Sequence, residues 1–446
     1  MNSTVLKAIM ALFCMVLTTA CKESSENEDY SPLQLVSVTP SEGEQVTAGT
    51  VEVVFEFNQS VEIKDAAKIT LNNKAVENAY AVVKYLKAKV EVEAESTNIF
   101  KIASGALLAK PSDVENEEMN ITFTARAEEN YNNRHFDINP VPCNPNADEP
   151  AKALYVWLLK QFGKKMISGS TQNAFVWYKN NVGITPLIIG WDMQPYCPHY
   201  SYYWQDGHHT FGPLTDNPTT PDAIAWYKDN GKKPITAFQW HWHSPMGGQA
   251  GTNTFYTNET DFDASKAVIE GTAEYETTIR DIDAIAVQLK KLSDAGVPIL
   301  WRPLHEAGGT WFWWSSKGPE VYKQLWNMVY ERLTYHHQLN NLIWVWNGDD
   351  ADWYVGDDKC DIISNDVGKD DIYLDNYDKA YRVTNGKKLL SLSESGTVPD
   401  VEKALEAGVC WSYWSTWGYD PTDNKSAEKL KVIFSSPKVI TLENYE

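Results

Sequence analysis

A (β/α)8 barrel preceded by a small all-β sandwich is the architecture this sequence predicts, and three observations predict it. From about residue 151 onward, eight strand-like apolar runs alternate with helical stretches. Before residue 127 the pattern is short alternating runs separated by turn residues, with no helical period. At 446 residues the chain also exceeds one ordinary core, so two domains are expected.

Residues 1–20 read as an export signal rather than as structure. Lys7 precedes an apolar run at 8–17, too short to span a bilayer as a helix. Thr18, Thr19, Ala20 and Cys21 follow, and a small residue before cysteine fits cleavage after Ala20 with a lipid added to Cys21. Thr18 departs from the usual leucine of that pattern. Residues 21–30 read as a tether, and K-E-S-S-E-N-E-D after Cys21 resembles the acidic surface-export signal of Bacteroidetes-type lipoproteins. The expected location is the outer membrane, lipid-anchored and exposed at the cell surface, with a periplasm-facing anchor or an ordinary secreted signal carrying an incidental cysteine as the alternatives.

Residues 31–126 are expected to form the sandwich. V-E-V-V-F-E-F at 51–57, K-V-E-V-E-A at 89–94 and N-I-T-F-T-A at 120–125 alternate as half-buried strands do. Turns are marked by Pro40-Ser41-Glu42-Gly43, Asn72-Asn73 and Ser96-Thr97-Asn98. V-T-P-S-E-G-E-Q-V at 38–46 and V-F-E-F-N-Q-S-V at 54–61 resemble bacterial immunoglobulin-like modules. Residues 127–150, with Pro140, Pro142, Pro145 and Pro150, read as a linker to a barrel at 151–446.

The eight barrel runs are 165–169, 187–192, 235–240, 297–303, 342–347, 361–366, 389–394 and 409–414. Between the third and fifth lie the two clearest helices. One carries a stripe of Ile279, Ile282, Ile285, Ala286, Leu289 and Leu292; the other, Val321, Leu325, Met328, Val329 and Leu333. Functional residues of such a barrel lie at the C-terminal ends of its strands.

Composition narrows the partners. A net charge of −21 argues against nucleic acid and anionic membrane surfaces. The 18 Trp and 23 Tyr exceed what a core needs, so some rings are expected in a cleft. Of six cysteines, Cys143, Cys197, Cys360 and Cys410 lie beyond the signal; no C-x-x-C spacing suggests zinc, and no disulfide pairing can be deduced.

The fourth run ends in W-R-P-L-H-E at 301–306, followed by Trp311, Phe312, Trp313 and Trp314. The seventh, K-L-L-S-L-S-E-S-G at 388–396, carries Glu394. One carboxylate at each of two strand ends is what glycosidic cleavage needs. Glu306 beside Trp311 suits the proton donor (acid/base), and Glu394 beside Ser393 and Ser395 suits the ionised nucleophile. The bland alternative is that Glu306 merely pairs with Arg302; two glutamates at matching strand ends weigh against it. His305 fits equally a core histidine or one orienting a carboxylate or sugar hydroxyl. Asp192 reads as structural more readily than ligand-binding. His199, His208 and His209 lie in an aromatic loop better read as a substrate wall than as a metal site. Trp411, Trp414 and Trp417 recur every third residue, and one or more of them is expected as a sugar platform.

Residues 160–440 resemble glycoside hydrolase family 26, whose best-known members are endo-β-1,4-mannanases. W-R-P-L-H-E with G-G-T-W-F-W-W at 308–314 is similar to the family's acid/base motif, matching at Arg302, His305, Glu306 and Trp311. S-E-S-G at 393–396 is similar to its nucleophile motif. Q-W-H-W-H-S-P at 239–245 resembles its third-strand motif, with His241 at the place of a substrate-contacting histidine. G-W-D-M at 190–193 and W-Y-V-G-D-D at 353–358 resemble further family segments. The resemblance implies a barrel, retention of anomeric configuration, no metal or cofactor, and β-mannan as substrate; a monomer is expected. The chain departs from the family at 365–373, N-D-V-G-K-D-D-I-Y. Gly368 stands where a tyrosine is expected, and Tyr373 is the candidate replacement. Two other readings stay open: the same mechanism on mixed-linkage β-1,3-1,4-glucan or β-1,3-xylan, and a non-catalytic surface glycan-binding lipoprotein.

Overall fold

The computed structural model describes residues 32–445 apart from 111, 127–133, 173, 204–208, 215, 369–371 and 418–424. The expected signal, Cys21 and the tether lie outside the described residues, as does His208. Two compact units divide the chain between residues 129 and 130. No helix among the described residues is long and apolar enough to cross a membrane.

The first unit is all-β. Strands Leu35–Thr39, Gly49–Phe57, Tyr85–Val92 and Tyr80–Val82 form one sheet in that order. Gln45–Thr47, Met119–Arg126, Ser96–Ile102, Ile69–Leu71 and Lys74–Ala75 form another. Alternation along the strands turns Val53, Phe55 and Phe57 inward against Leu86, Phe100, Ile121 and Phe123, which are buried in one core.

The second unit is a closed barrel of eight parallel strands: β1 (Gly169–Thr171), β2 (Ile188–Asp192), β3 (Ile235–Gln239), β4 (Ile299–Arg302), β5 (Leu342–Asn347), β6 (Ile362–Val367), β7 (Leu389–Ser395) and β8 (Trp414–Thr416). Helix Ala273–Asp294 is capped by the Thr272 side chain accepting from Tyr275 N, and buries Ile282, Ile285, Ala286, Leu289 and Leu292 as the stripe requires. Helix Pro319–Glu331 buries Leu325 and Val329 in the same way.

Three expectations need correction. The first apolar run is not the first barrel strand: Met166–Ile167 pairs with Val439–Ile440, and the chain enters the barrel only at Gly169. A Cβ at Gly169 would meet the Trp414 carbonyl oxygen at 2.4 Å, so only glycine lets β1 approach β8 at this seam. The eighth strand likewise starts later than its apolar run, at Trp414. Finally, from residue 134 the expected linker packs on the barrel unit instead of crossing solvent. Arg134 pairs with Asp378, and Cys143 N donates to Asp361 Oδ1 at 2.6 Å.

Candidate active site

Five adjoining barrel strands, β2 to β6, carry a polar side chain near their C-terminal ends, and β7 adds Glu394. Arg302 is the hub. Its Nη1 donates to Asn347 Oδ1 at 2.9 Å and Asp366 Oδ2 at 2.8 Å; its Nη2 donates to Gln239 Oε1 at 2.6 Å and to Glu394 Oε1. Asn347 Nδ2 donates in turn to Asp366 Oδ1 at 3.0 Å. A buried guanidinium needs its N–H groups satisfied, and this fork serves two carboxylates and two amides.

A slip in strand register places Glu394 in this ring. β6 and β7 pair in step through Asn365 and Leu392, then skip a residue so that Asp366 faces Glu394. Such a bulge re-aims the side chains beyond it. Glu306 arrives differently, four residues past the end of β4. Leu304 and Glu306 both have positive φ, 46° and 56°. Non-glycine residues hold that conformation only where the surroundings enforce it. Asn347 enforces it here: its Oδ1 accepts Glu306 N at 2.6 Å and its backbone oxygen accepts Ala307 N at 2.9 Å.

Oxygens of Glu306, Asp366 and Glu394 lie within 4.8 Å of one another. Three carboxylates this close could hold a cation, and Arg302 already supplies positive charge to two of them. Burial, reinforced by Glu394 and Glu306, pushes the Asp366 carboxyl well up against the opposing pull of Arg302. Burial, with Arg302 and His241 adding to it, drives His305 well below the usual imidazole range, so it is neutral. Burial also opposes charge on His241, but Asp192 outweighs it and raises that imidazole.

Trp311 is 54% exposed and donates its ring N–H to Glu306 Oε2 at 2.5 Å. A cavity of about 400 Å3 is lined by Asp192, His241, Phe255, Arg302, Glu394 and Tyr413. A second, of about 210 Å3, is lined by Glu306, Trp311, Asn347, Asp349 and Asp366. Arg302 lines the hollow that holds Glu394, and its partner Asp366 lines the hollow that holds Glu306.

The structure brings together Glu306, Glu394, Arg302, His305, His241 and Trp311. It does not bring in Trp411 or Trp414, which are fully buried. Trp411 packs edge-on to Tyr377 and donates to the Ile372 carbonyl, while Trp414 leans on Phe434. Of that triplet only Trp417 is open, at 55% exposure. The abundance of tryptophan mainly fills the core: of the 18, ten are fully buried among the described residues. Phe312, Trp313 and Trp314 belong with them. Tyr373 does not replace the missing ring, because it is buried with its hydroxyl within donating reach of the Gly368 and Thr397 carbonyl oxygens, each at 3.2 Å. The Arg302–Glu306 pairing weighed as the bland alternative is not what forms; Arg302 holds Asp366 and Glu394. Sequence reasoning missed Gln239, Asn347 and Asp366. Their signal was a polar residue ending an apolar strand, readable only once the strand ends are known. The four cysteines Cys143, Cys197, Cys360 and Cys410 are free thiols.

A parallel eight-stranded barrel with two glutamates close together at its C-terminal mouth supplies the carboxylate pair that glycosidic cleavage needs. Residues 143–444 match the model of glycosyl hydrolase family 26, and the chain belongs to that family. It is 39% identical over 324 residues to the mannan endo-1,4-beta-mannosidase of Thermothelomyces thermophilus, covering 69% of this chain and 64% of that protein. It is 37% identical over 313 residues to mannan endo-1,4-beta-mannosidase A of Piromyces sp, covering 69% and 50%. The chain thus spans between half and two thirds of the length of these curated relatives. Among solved structures, the GH26-CBM35 beta-(1,4)-mannanase of Podospora anserina aligns with TM-score 0.62 and 32% identity, over 93% of this chain and 98% of that one. A beta-mannanase from a symbiotic protist of the termite Reticulitermes speratus, complexed with gluco-manno-oligosaccharide, aligns with TM-score 0.61 and 31% identity, over 70% and 99%.

Proposed function

We propose that this chain cleaves internal β-1,4-mannosidic bonds of mannan, galactomannan or glucomannan by double displacement. The observation that carries the mechanism is the approach of Glu306 and Glu394 oxygens to within 4.8 Å. Retaining glycosidases hold their carboxyl groups about 5–5.5 Å apart, inverting ones roughly 6.5–9.5 Å to admit a water. The substrate follows from what the similar proteins are named for.

In the first step Glu394 attacks the anomeric carbon while Glu306 gives its proton to the glycosidic oxygen. The C–O bond to the leaving chain breaks and a glycosyl ester forms on Glu394. In the second, Glu306 takes a proton from water, the hydroxide attacks the anomeric carbon, and the ester bond returns to Glu394 carboxylate. Arg302 holds the nucleophile's Oε1 on line through both steps. Trp311 fixes Glu306 through Oε2 and offers a ring face to the leaving sugar.

Reducing-sugar release from mannan, lichenan and β-1,3-xylan tests this, with the anomer of the first product read by NMR. Release from mannan with a β-configured first product is expected. Preference for lichenan or xylan would replace the substrate, an α-configured first product would replace the mechanism, and no release from any would favour a glycan-binding role. We also propose that the exported chain is anchored through a lipid on Cys21 and acts as a monomer at the cell surface. Its all-β unit, read as an immunoglobulin-like module, would space the barrel from the membrane. Labelling with a fatty-acid analogue, lost on Cys21→Ser, tests the anchor.

A further inference from the structure

Asp192 closes β2, beside its register partner Gln239 on β3. Every acceptor position of its carboxylate is taken. Oδ1 accepts the backbone N–H of Gln194 at 2.7 Å and of His241 at 3.1 Å. Oδ2 accepts from Gln239 Nε2 at 3.2 Å and lies 2.5 Å from His241 Nδ1. An ionised carboxylate only accepts, so His241 Nδ1 carries a hydrogen. This turns the other ring nitrogen, Nε2, to within 3.3 Å of Nε2 of His305. His305 is the residue before Glu306 and is 1% exposed, and its Nδ1 has no hydrogen-bond partner. Among the described residues its one ring contact through nitrogen is therefore His241. His241 also walls the cavity that holds Glu394.

A second line leads from the same carboxylate to the nucleophile. Gln239 donates from Nε2 to Asp192 and accepts at Oε1 from Arg302, which in turn holds Glu394. A residue that only capped the turn into Gln194 would need Oδ1 alone. The contacts of Oδ2, to a functional imidazole and to the amide behind Arg302, serve no turn.

We infer that Asp192 is a positioning residue, which fixes the tautomer and orientation of His241 beside Glu394 and, through it, the His241–His305 contact behind Glu306. Only the kinetic part of its test rests on the mannanase reading. Removal of a carboxylate that orients a functional histidine costs about 10–100-fold at metal sites, and a loss of that order is expected here.

Asp192→Asn keeps the shape and the Oδ1 acceptor but turns an amide N–H2 toward His241 Nδ1. The ring must then accept there, and its proton moves to Nε2. Long-range 1H–15N spectra of the full chain, with His241→Ala to assign the signal, read this directly. The wild type is expected to carry a hydrogen on Nδ1 and the Asn variant on Nε2 alone. kcat/KM on mannan should fall on the order of 10–100-fold at an unchanged melting temperature. In the His241→Ala background the cost of Asp192→Asn should shrink to the share carried through Gln239 and Arg302, because partners acting as one unit are not additive. A bare Nδ1 in the wild type would overturn the inference without any variant. An Asn effect undiminished in the His241→Ala background would show that Asp192 does not act through His241 and would overturn the inference. A wild-type chain inert on mannan would fail the substrate reading, while the spectra still decide the role of Asp192.

Discussion

In the N-terminal β unit most of the described ion pairs stand in water. Lys64–Glu115, Lys101–Glu118 and Lys110–Glu62 leave between 34% and 66% of each side chain exposed. In the barrel, Arg302 is 5% exposed and its partners Asp366 and Glu394 are 13% and 22%. Pairs of the first kind contribute little, since water screens them and side-chain entropy opposes them. Pairs of the second kind are costly to assemble, because desolvation of the ions offsets their attraction. The difference teaches where each unit spends its stability. The β unit rests on an apolar core with charges kept outside, whereas the barrel carries an unfavourable charged centre that its apolar wall must support.

The largest effect expected from breaking this contrast is chemical. Glu394→Gln and Glu306→Gln should each abolish hydrolysis with the fold intact, since an amide neither forms the glycosyl ester nor donates the proton. An aryl glycoside with a good leaving group should partly rescue Glu306→Ala and leave Glu394→Ala inactive, measured as release of the aryl alcohol. Polysaccharide turnover close to wild type in either Gln variant would sink the assignment.

Next comes the charged centre itself. Arg302→Met leaves Glu394 and Asp366 facing each other without their cation. Loss of one member of a buried pair costs about 3–5 kcal/mol, to be read as a fall in the denaturation midpoint. Arg302→Lys keeps the charge but not the fork that reaches Gln239, Asn347, Asp366 and Glu394 together. Its kcat should fall by about 100-fold, the scale of a misplaced nucleophile, with a smaller change in the midpoint. Equal stability losses in Met and Lys variants would show that shape rather than charge holds the ring.

The smallest effects belong to the β unit. Lys64→Ala, which removes an exposed pair with Glu115, should leave the denaturation midpoint unchanged within error. A chain lacking residues 22–125 should keep its kcat/KM on soluble oligosaccharides, because none of the site residues comes from that stretch. A large loss in a shortened chain that still unfolds cooperatively would mean that the β unit shapes the cleft.

Much of this was legible in the residues. Period-two runs marked the β unit, apolar runs alternating with striped helices marked the barrel, and Glu306 and Glu394 stood at two strand ends with Arg302, His305, His241 and Trp311 in recognisable company. Sequence also determined which residues could do acid–base and nucleophilic chemistry, since that depends on side-chain type. Tertiary structure alone decided the rest. The seam at Gly169 and Trp414 depends on backbone approach, which no hydrophobic period records. Trp411 and Trp414 went to the core because their rings pack against Tyr377 and Phe434 on the surrounding helices, and a spacing of three does not say which face is wet. The bulge that lifts Glu394 to Asp366, and the left-handed turn that brings Glu306 over Asn347, are fixed by hydrogen bonds between strands far apart in the chain. For the same reason Asp192 looked structural in the sequence: its meaning depends on His241, 49 residues away, meeting its carboxylate across two neighbouring strands.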